Sequence, residues 1–150
     1  MLAVGNSYAP DVITGRYDAL VGLLLRGDGA GRFEAVPHPE SGFFVDGDAK
    51  GLALLHDAAG RSLYVATQNN DTTRVFTRAD GYAPQTLTPA PLDAYAEIVF
   101  PDGTTQRHEL YYGAGYLSQS SRRLRVPPGA AQVTLYRYDG AVRIVPLPPK

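Results

Sequence analysis

The chain has no cysteine, no tryptophan and a single methionine. Without cysteine there are no disulfides and no thiolate metal centres of the kind that staple small, loop-rich domains. Neither sign of charge dominates: 14 Lys and Arg stand against 15 Asp and Glu, for a formal net charge of -1. Such a balance carries no electrostatic signal for nucleic acid or for an anionic membrane surface. Long apolar runs are missing as well. The longest, Ala19 to Leu25, is broken by Gly22 and is far too short to span a bilayer. The first residues, Met1-Leu2-Ala3-Val4-Gly5-Asn6, lack the basic region and apolar core of a signal peptide.

What the chain has in quantity is punctuation. Its 150 residues include 16 Gly and 12 Pro, with 10 Tyr and 5 Phe as the aromatic complement. The length suits one ordinary domain or two small ones, and the composition is that of a folded, turn-rich chain. Strand signals recur between the turns. Val21–Leu25 and Phe33–Val36 flank Arg26-Gly27-Asp28-Gly29, and Ala53–Leu55 and Leu63–Ala66 flank Asp57-Ala58-Ala59-Gly60. Thr73–Thr77 alternates polar and apolar residues with a period of two. Ala96–Phe100 and Gln106–Leu110 surround Pro101-Asp102-Gly103-Thr104, and Val133–Tyr138 and Val142–Val145 surround Asp139-Gly140. Asp-Gly between apolar strands is a strong hairpin signal, because Gly accepts the positive φ that the turn demands. No segment has the i, i+3, i+4 spacing of a convincing helix; a short helical turn around Asp18 to Leu25 is the nearest approach.

The two N-terminal hairpins echo each other. Gly22, Leu23, Leu25, Asp28, Ala30, Gly31, Arg32 and Val36 recur as Gly51, Leu52, Leu54, Asp57, Ala59, Gly60, Arg61 and Val65, an offset of 29 residues (22 to 51). Sheet-forming repeats of this size suggest propeller blades or a solenoid. Residues 81–91 then lose periodicity and carry Pro84, Pro89 and Pro91. They read as a Pro-rich linker or strap between a β-blade region over 1–80 and a β domain over 92–150.

Recognisable chemistry is sparse. Glu97, Asp102 and Glu109 surround one hairpin, but as solvated strand and turn residues rather than as an acid/base pair. His38, His56 and His108 show no metal-binding spacing. Ser118 and Ser120 lack a nucleophile elbow, and Gly27-Asp28-Gly29-Ala30-Gly31 leads into a strand instead of the helix a phosphate cradle needs. Asp46 and Asp48, at alternate positions around Gly47, begin a Ca²⁺ loop pattern, although Lys50 falls where a further oxygen ligand is wanted. Asn69-Asn70-Asp71 offers further oxygens without the loop spacing. Tyr111, Tyr112 and Tyr116 cluster around Gly113 and Gly115, with Gln119 close by. Aromatic rings beside Gly-rich turns can stack on sugars or on a partner surface, or can cover the edge of a core. Arg122, Arg123 and Arg125 read as solvent-facing strand residues that could also hold an anion.

One segment, Tyr112-Gly113-Ala114-Gly115-Tyr116-Leu117-Ser118-Gln119-Ser120, resembles the G-x-G-Y-L-S-Q-S signature of ASPIC/UnbV-type domains, which follow arrays of FG-GAP (VCBS) repeats. Gly22-Leu23-Leu24-Leu25-x-Gly27-Asp28-Gly29-x-Gly31-x-Phe33 is similar to the last blades of those integrin-α-like propellers. Gly47–Leu54, Leu63–Ala66 and Asn69–Asp71 look like the blade after it. The usual F-G-L-G ending after the signature is absent. The resemblance implies an all-β fold of antiparallel hairpins, with a propeller-blade-like N-terminal part and a small β-sandwich-like C-terminal part. It further implies a non-catalytic, extracytoplasmic (secreted, periplasmic or cell-surface) module that recognises protein or glycan. Further blades would come from the same or another chain, since two blades do not close a propeller. The alternatives are a structural assembly subunit pairing through β-edges and an accessory domain of a carbohydrate-active enzyme. No enzymatic activity, nucleic-acid partner or membrane insertion is expected, and Ca²⁺ at Asp46 and Asp48 is the one cofactor in question.

Overall fold

The computed structural model describes residues 1–113, 115–116 and 118–147; Ala114 and Leu117 of the signature, and the last three residues, lie outside the described residues. The fold is all-β and antiparallel, as the turn-punctuated sequence leads one to expect.

The first sheet has the order β1-β2-β3, from strands Leu2–Ser7, Tyr17–Gly27 and Phe33–Val36. A single helical turn, α1 (His38–Ser41), follows and ends at Gly42, whose φ of 62° makes it the C-cap. The second sheet has the order β4-β5-β6, from Ala49–His56, Ser62–Gln68 and Arg74–Thr77. Strand β1 lies against β4, which sets the two sheets side by side. Between them Phe43, Val45, Ala49 and Ala66 form a small core, extended by Leu2, Val4, Leu52 and Phe76. The sheets splay apart from this seam and leave an open cleft of about 1100 Å³, bordered by Leu24, Val36, Phe43, Leu54, Tyr64 and Phe76.

The sequence echo is also a structural repeat. Leu24 pairs with Val36 in the first hairpin and Ala53 with Val65 in the second; Leu25 with Ala35 and Leu54 with Tyr64; Arg26 with Glu34 and Leu55 with Leu63. Each pair maps onto its counterpart at the same offset. The turns match too. The Asp28 and Asp57 carboxylates each accept two amides of their own loop, Ala30 N and Arg32 N in one, Ala59 N and Arg61 N in the other, at 2.7–3.1 Å. The aspartate thereby replaces backbone partners that the reversing chain cannot supply. Gly31 and Gly60 follow with φ of 88° and 80°, the conformation that closes the loop and that only glycine adopts without strain.

The C-terminal part is built differently. Strands β8 (Asp93–Val99), β9 (Thr105–Glu109), β11 (Gln132–Arg137) and β12 (Val142–Val145) form a sheet of order β12-β11-β8-β9. One face presents Ala96, Ile98, Val133 and Leu135, all fully buried. A two-stranded ribbon of β7 (Thr86–Leu87) and β10 (Leu124–Arg125) packs Leu87, Leu124 and Val126 over that face, giving a small two-layer sandwich. The opposite face carries the stacked rings of Tyr95 and Tyr136, 4.5 Å apart, with the Arg107 guanidinium 3.8 Å above Tyr95.

Several elements depart from the sequence reading. Asp18 to Leu25 is strand throughout, because β2 sits between β1 and β3 and both its edges are paired. Strand β1 has no sequence signal of its own; its pattern is blurred by Ala3, Gly5 and two register shifts against β2. Helix α1 is a single turn with Pro37 as its N-cap and Pro39 in its first turn, too short for its i, i+3, i+4 spacing to show in the sequence. Arg122 is not a solvent-facing strand residue. Its guanidinium donates to three carbonyl oxygens, those of Leu110 at 3.1 Å, Ala90 at 2.7 Å and Asp93. Arg123 and Arg125 do face solvent, alternating with buried Leu124 and Val126.

Candidate functional site at the signature loop

Ser118, Ser120 and Ser121, at the end of the signature segment, bond to the edge of β4 that faces away from β5. Ser118 Oγ donates to the Leu52 carbonyl at 2.9 Å, and Ser120 Oγ accepts the Leu54 amide at 3.0 Å. The Ser121 amide then reaches the Leu54 carbonyl at 2.7 Å. Serines two apart on an extended chain point to the same side. Here their hydroxyls satisfy edge groups that a neighbouring strand would otherwise pair, one donating and one accepting. Gly115 bridges to Ser118 in antiparallel fashion, and a Cβ at Gly115 would stand 2.5 Å from Ser118 Oγ. Glycine is therefore required for the loop to fold onto its own serine.

The same loop is tied back to the C-terminal part. Gln119 Oε1 accepts the Gly113 amide at 2.7 Å, while its Nε2 donates to the Ser120 carbonyl at 2.9 Å. Tyr112 donates its hydroxyl to the Pro91 carbonyl at 3.2 Å, and its ring lies 4.3 Å from the Arg122 guanidinium carbon. The backbone is thus held from both sides, yet the aromatic surface stays outside: Tyr111, Tyr112 and Tyr116 are 60%, 62% and 81% exposed. Of the four binding candidates, the structure ties Tyr112 and Gln119 into the junction and leaves Tyr111 and Tyr116 projecting from it. Ser118 and Ser120, which lack a nucleophile elbow, serve here as structural side chains that fix the junction to β4. Their i, i+2 spacing after a Gly-rich turn was the available signal.

The Asp46–Asp48 loop sits at the other end of the N-terminal seam. Asp48 is 5% exposed and lies against Lys50 Nζ at 2.5 Å, with Asn69 Nδ2 at 3.1 Å and the Tyr8 amide at 3.2 Å. Lys50, followed by the Asn69 and Tyr8 donors, holds the Asp48 carboxyl below its ordinary pKa, against the opposing effect of burial. Asp46 points elsewhere: Arg74 is 3.2 Å from its carboxylate, and the Asp46 carbonyl accepts the Tyr8 hydroxyl at 3.0 Å. Buried Asn6 knits the loop to β2, donating to the Gly47 carbonyl and accepting the Ala19 and Leu20 amides. Both candidate metal ligands therefore face cationic side chains. No group of three or more His, Asp or Glu is arranged to hold a metal among the described residues.

The histidines and the remaining acids are dispersed. His38 Nε2 lies 2.7 Å from the Gly22 carbonyl. His56 is half-buried near Arg123 and Arg125, which, after burial itself, hold its pKa below the ordinary histidine value. Glu97 accepts the Tyr136 hydroxyl at 2.8 Å, and Glu109 pairs with Arg107 at 2.7 Å. What the signature loop can do chemically is present aromatic surface on a fixed backbone. The chain matches no protein-family model, no curated protein and no solved structure, so these residues and their geometry are what any functional reading has to rest on.

Proposed function

We propose that the chain is a non-catalytic, extracytoplasmic interaction module that recognises a protein or a glycan. In this reading it forms the terminal part of a larger FG-GAP-type propeller protein, with the ASPIC/UnbV-like loop as its binding surface. The observation that carries the proposal is the pairing of a pinned backbone with exposed tyrosines. Ser118, Ser120 and Gln119 fix the loop, while Tyr111, Tyr112 and Tyr116 stay in solvent. Rings flanked by hydrogen-bonded residues give up less freedom on binding than rings on an untethered loop, which favours affinity. Catalysis has little support, since candidate acids are engaged in structural bonds: Asp48 with Lys50, Glu109 with Arg107, Glu97 with Tyr136. The extracytoplasmic assignment and the propeller context rest on the family resemblance. Ca²⁺ at Asp46 and Asp48 would have to displace Lys50 and Arg74.

A glycan array and a protein array probed with the wild type and with Tyr112→Ala and Tyr116→Ala test the proposal. Binding that the tyrosine variants lose is the expected result. Binding untouched by both substitutions, or none on either array, would overturn the reading.

A further inference from the structure

Cationic side chains in this chain are mostly neutralised within it. Arg26 meets Glu40, Arg61 meets Asp57, Arg78 meets Asp80 and Arg107 meets Glu109. Arg122 is occupied by three carbonyl oxygens. Arg123 and Arg125 differ: among the described residues neither has a carboxylate within 4.0 Å. Arg123 reaches the Thr86 hydroxyl at 3.5 Å, and the Arg125 guanidinium lies 5.8 Å from the centre of the Tyr82 ring.

The two charges are set together by the ribbon. Arg125 ends β10 and Arg123 immediately precedes it, with buried Leu124 between them. Both therefore leave the extended chain on the same side, their Cα atoms about 7 Å apart. The same segment has just passed β4, where Ser120 meets Leu54, and it brings both arginines within electrostatic reach of His56 at the end of that strand. After burial itself, Arg123 and Arg125 hold the His56 pKa low, and Asp57 opposes them. Asp57 does not neutralise the arginines, because its carboxylate is taken by Arg61 at 2.7 Å and by the Ala59 and Arg61 amides. Asp80, which accepts the Tyr82 amide, is likewise held by both forks of Arg78. A positive field is left at the surface with no internal anion to answer it.

We infer that Arg123 and Arg125, with the Thr86 hydroxyl and the Tyr82 ring beside them, form a site for the sulfate or carboxylate groups of an acidic glycan. Guanidinium forks match either oxyanion in charge and in geometry. One exposed ion pair contributes little, so a single small anion gains little here, whereas a chain that repeats its charge engages both arginines at once. The Tyr82 ring offers an apolar face for a sugar next to the charges. The choice of a glycan as carrier rests on the function proposed above; the site itself does not use Tyr111, Tyr112 or Tyr116.

Isothermal titration at low ionic strength tests it, with a dextran sulfate oligosaccharide, an oligogalacturonate, neutral dextran and sodium sulfate as probes. At least one charged oligosaccharide is expected to bind, more tightly than sodium sulfate, and neutral dextran is not. Arg123→Gln and Arg125→Gln should each weaken that binding about fivefold, the scale of one exposed ion pair. Arg32→Gln, at an exposed arginine of the β2–β3 turn, should leave it unchanged. His56 supplies a second readout: its pKa, followed by NMR, should rise when the anion is bound and should not respond in the double arginine variant. Binding by neither charged oligosaccharide, an equal loss in Arg32→Gln, sodium sulfate binding as tightly as the oligosaccharides, or a His56 titration unmoved at saturation would each overturn the inference. Tyr112→Ala and Tyr116→Ala should leave the arginine-dependent binding in place even if they abolish binding on the arrays. Loss confined to the tyrosine variants would assign the glycan to the signature loop and overturn the arginine site.

Discussion

Lys50 Nζ lies 2.5 Å from Asp48 Oδ1 and 3.2 Å from the Asn6 carbonyl oxygen, so an ammonium sits between two oxygens beside the Asp46–Asp48 loop. Because the lysine is covalently part of the chain, its charge needs no free ion to be present. Addition of Ca²⁺ or of a chelator is expected to leave the melting temperature of the wild type unmoved. Lys50→Met is expected to lower it, since it strips the buried Asp48 of its charge partner. Asp48 has a depressed pKa in the folded chain. Its contribution is present above the ordinary carboxylate range and is lost as pH falls through the folded-state value. Melting temperatures measured from neutral to acid pH should therefore converge for wild type and Asp48→Asn.

The junction at β4 predicts a graded series. Ser118→Ala and Ser120→Ala each leave one edge group of β4 without its partner and should cost about 1 kcal/mol by urea unfolding. Gly115→Ala should cost more than Ser118→Ala, because its Cβ would stand 2.5 Å from Ser118 Oγ and push that hydroxyl off Leu52. Hydrogen exchange at the Leu54 amide offers a local readout. It should quicken in Ser120→Ala, and an unchanged rate would remove the hydroxyl from the role given to it.

Arg122 makes three bonds to backbone carbonyls and lies over Tyr112. Lysine carries the charge but not the planar fork, so Arg122→Lys is expected to lose about 2 kcal/mol of stability despite its apparent mildness. Chemical denaturation measures this directly. An effect as small as that of Arg123→Lys, at an exposed neighbouring position, would refute it.

His56 supplies a pH dependence of its own. Its Nδ1 is buried without a hydrogen-bond partner among the described residues, and burial followed by Arg123 and Arg125 depresses its pKa. The neutral ring is therefore favoured in the folded chain. The associated stability is present above the ordinary histidine pKa and is lost as pH falls through the folded-state value. Thermal unfolding at mildly acid and neutral pH should show a loss for the wild type that His56→Phe lacks.

Much of the fold was legible because turns dominate it. Asp-Gly and Asp-x-Ala-Gly-Arg announce local reversals, and the hairpins they predict are those observed: β2–β3, β4–β5, β8–β9 and β11–β12. What escaped depends on partners distant in the chain. Strand β1 is specified by β2 rather than by its own weak alternation, and the two residues of β7 are specified by β10 across the intervening hairpin. The same holds for the site. Tyr111, Tyr112 and Tyr116 cluster within the local sequence, whereas the strand that Ser118 and Ser120 fix, β4, lies 66 residues earlier (Leu54 to Ser120) and has no local signal. Arg122 looked like one of three equivalent arginines; only the convergence of Ala90, Asp93 and Leu110 sets it apart.

The β7–β10 ribbon has a practical corollary for dissecting the protein. The proline-rich stretch invites a cut before β8, yet Leu87 packs into the C-terminal core and the Val126 amide bonds to the Gln85 carbonyl at 2.9 Å. A fragment beginning at residue 92 would leave β10 without its paired strand and the core without Leu87, whereas one beginning upstream of Gln85 would keep both strands of the ribbon. A truncated derivative that keeps Gln85 to Leu87 is therefore expected to be more stable than one that begins at residue 92, as urea unfolding of the two fragments would measure.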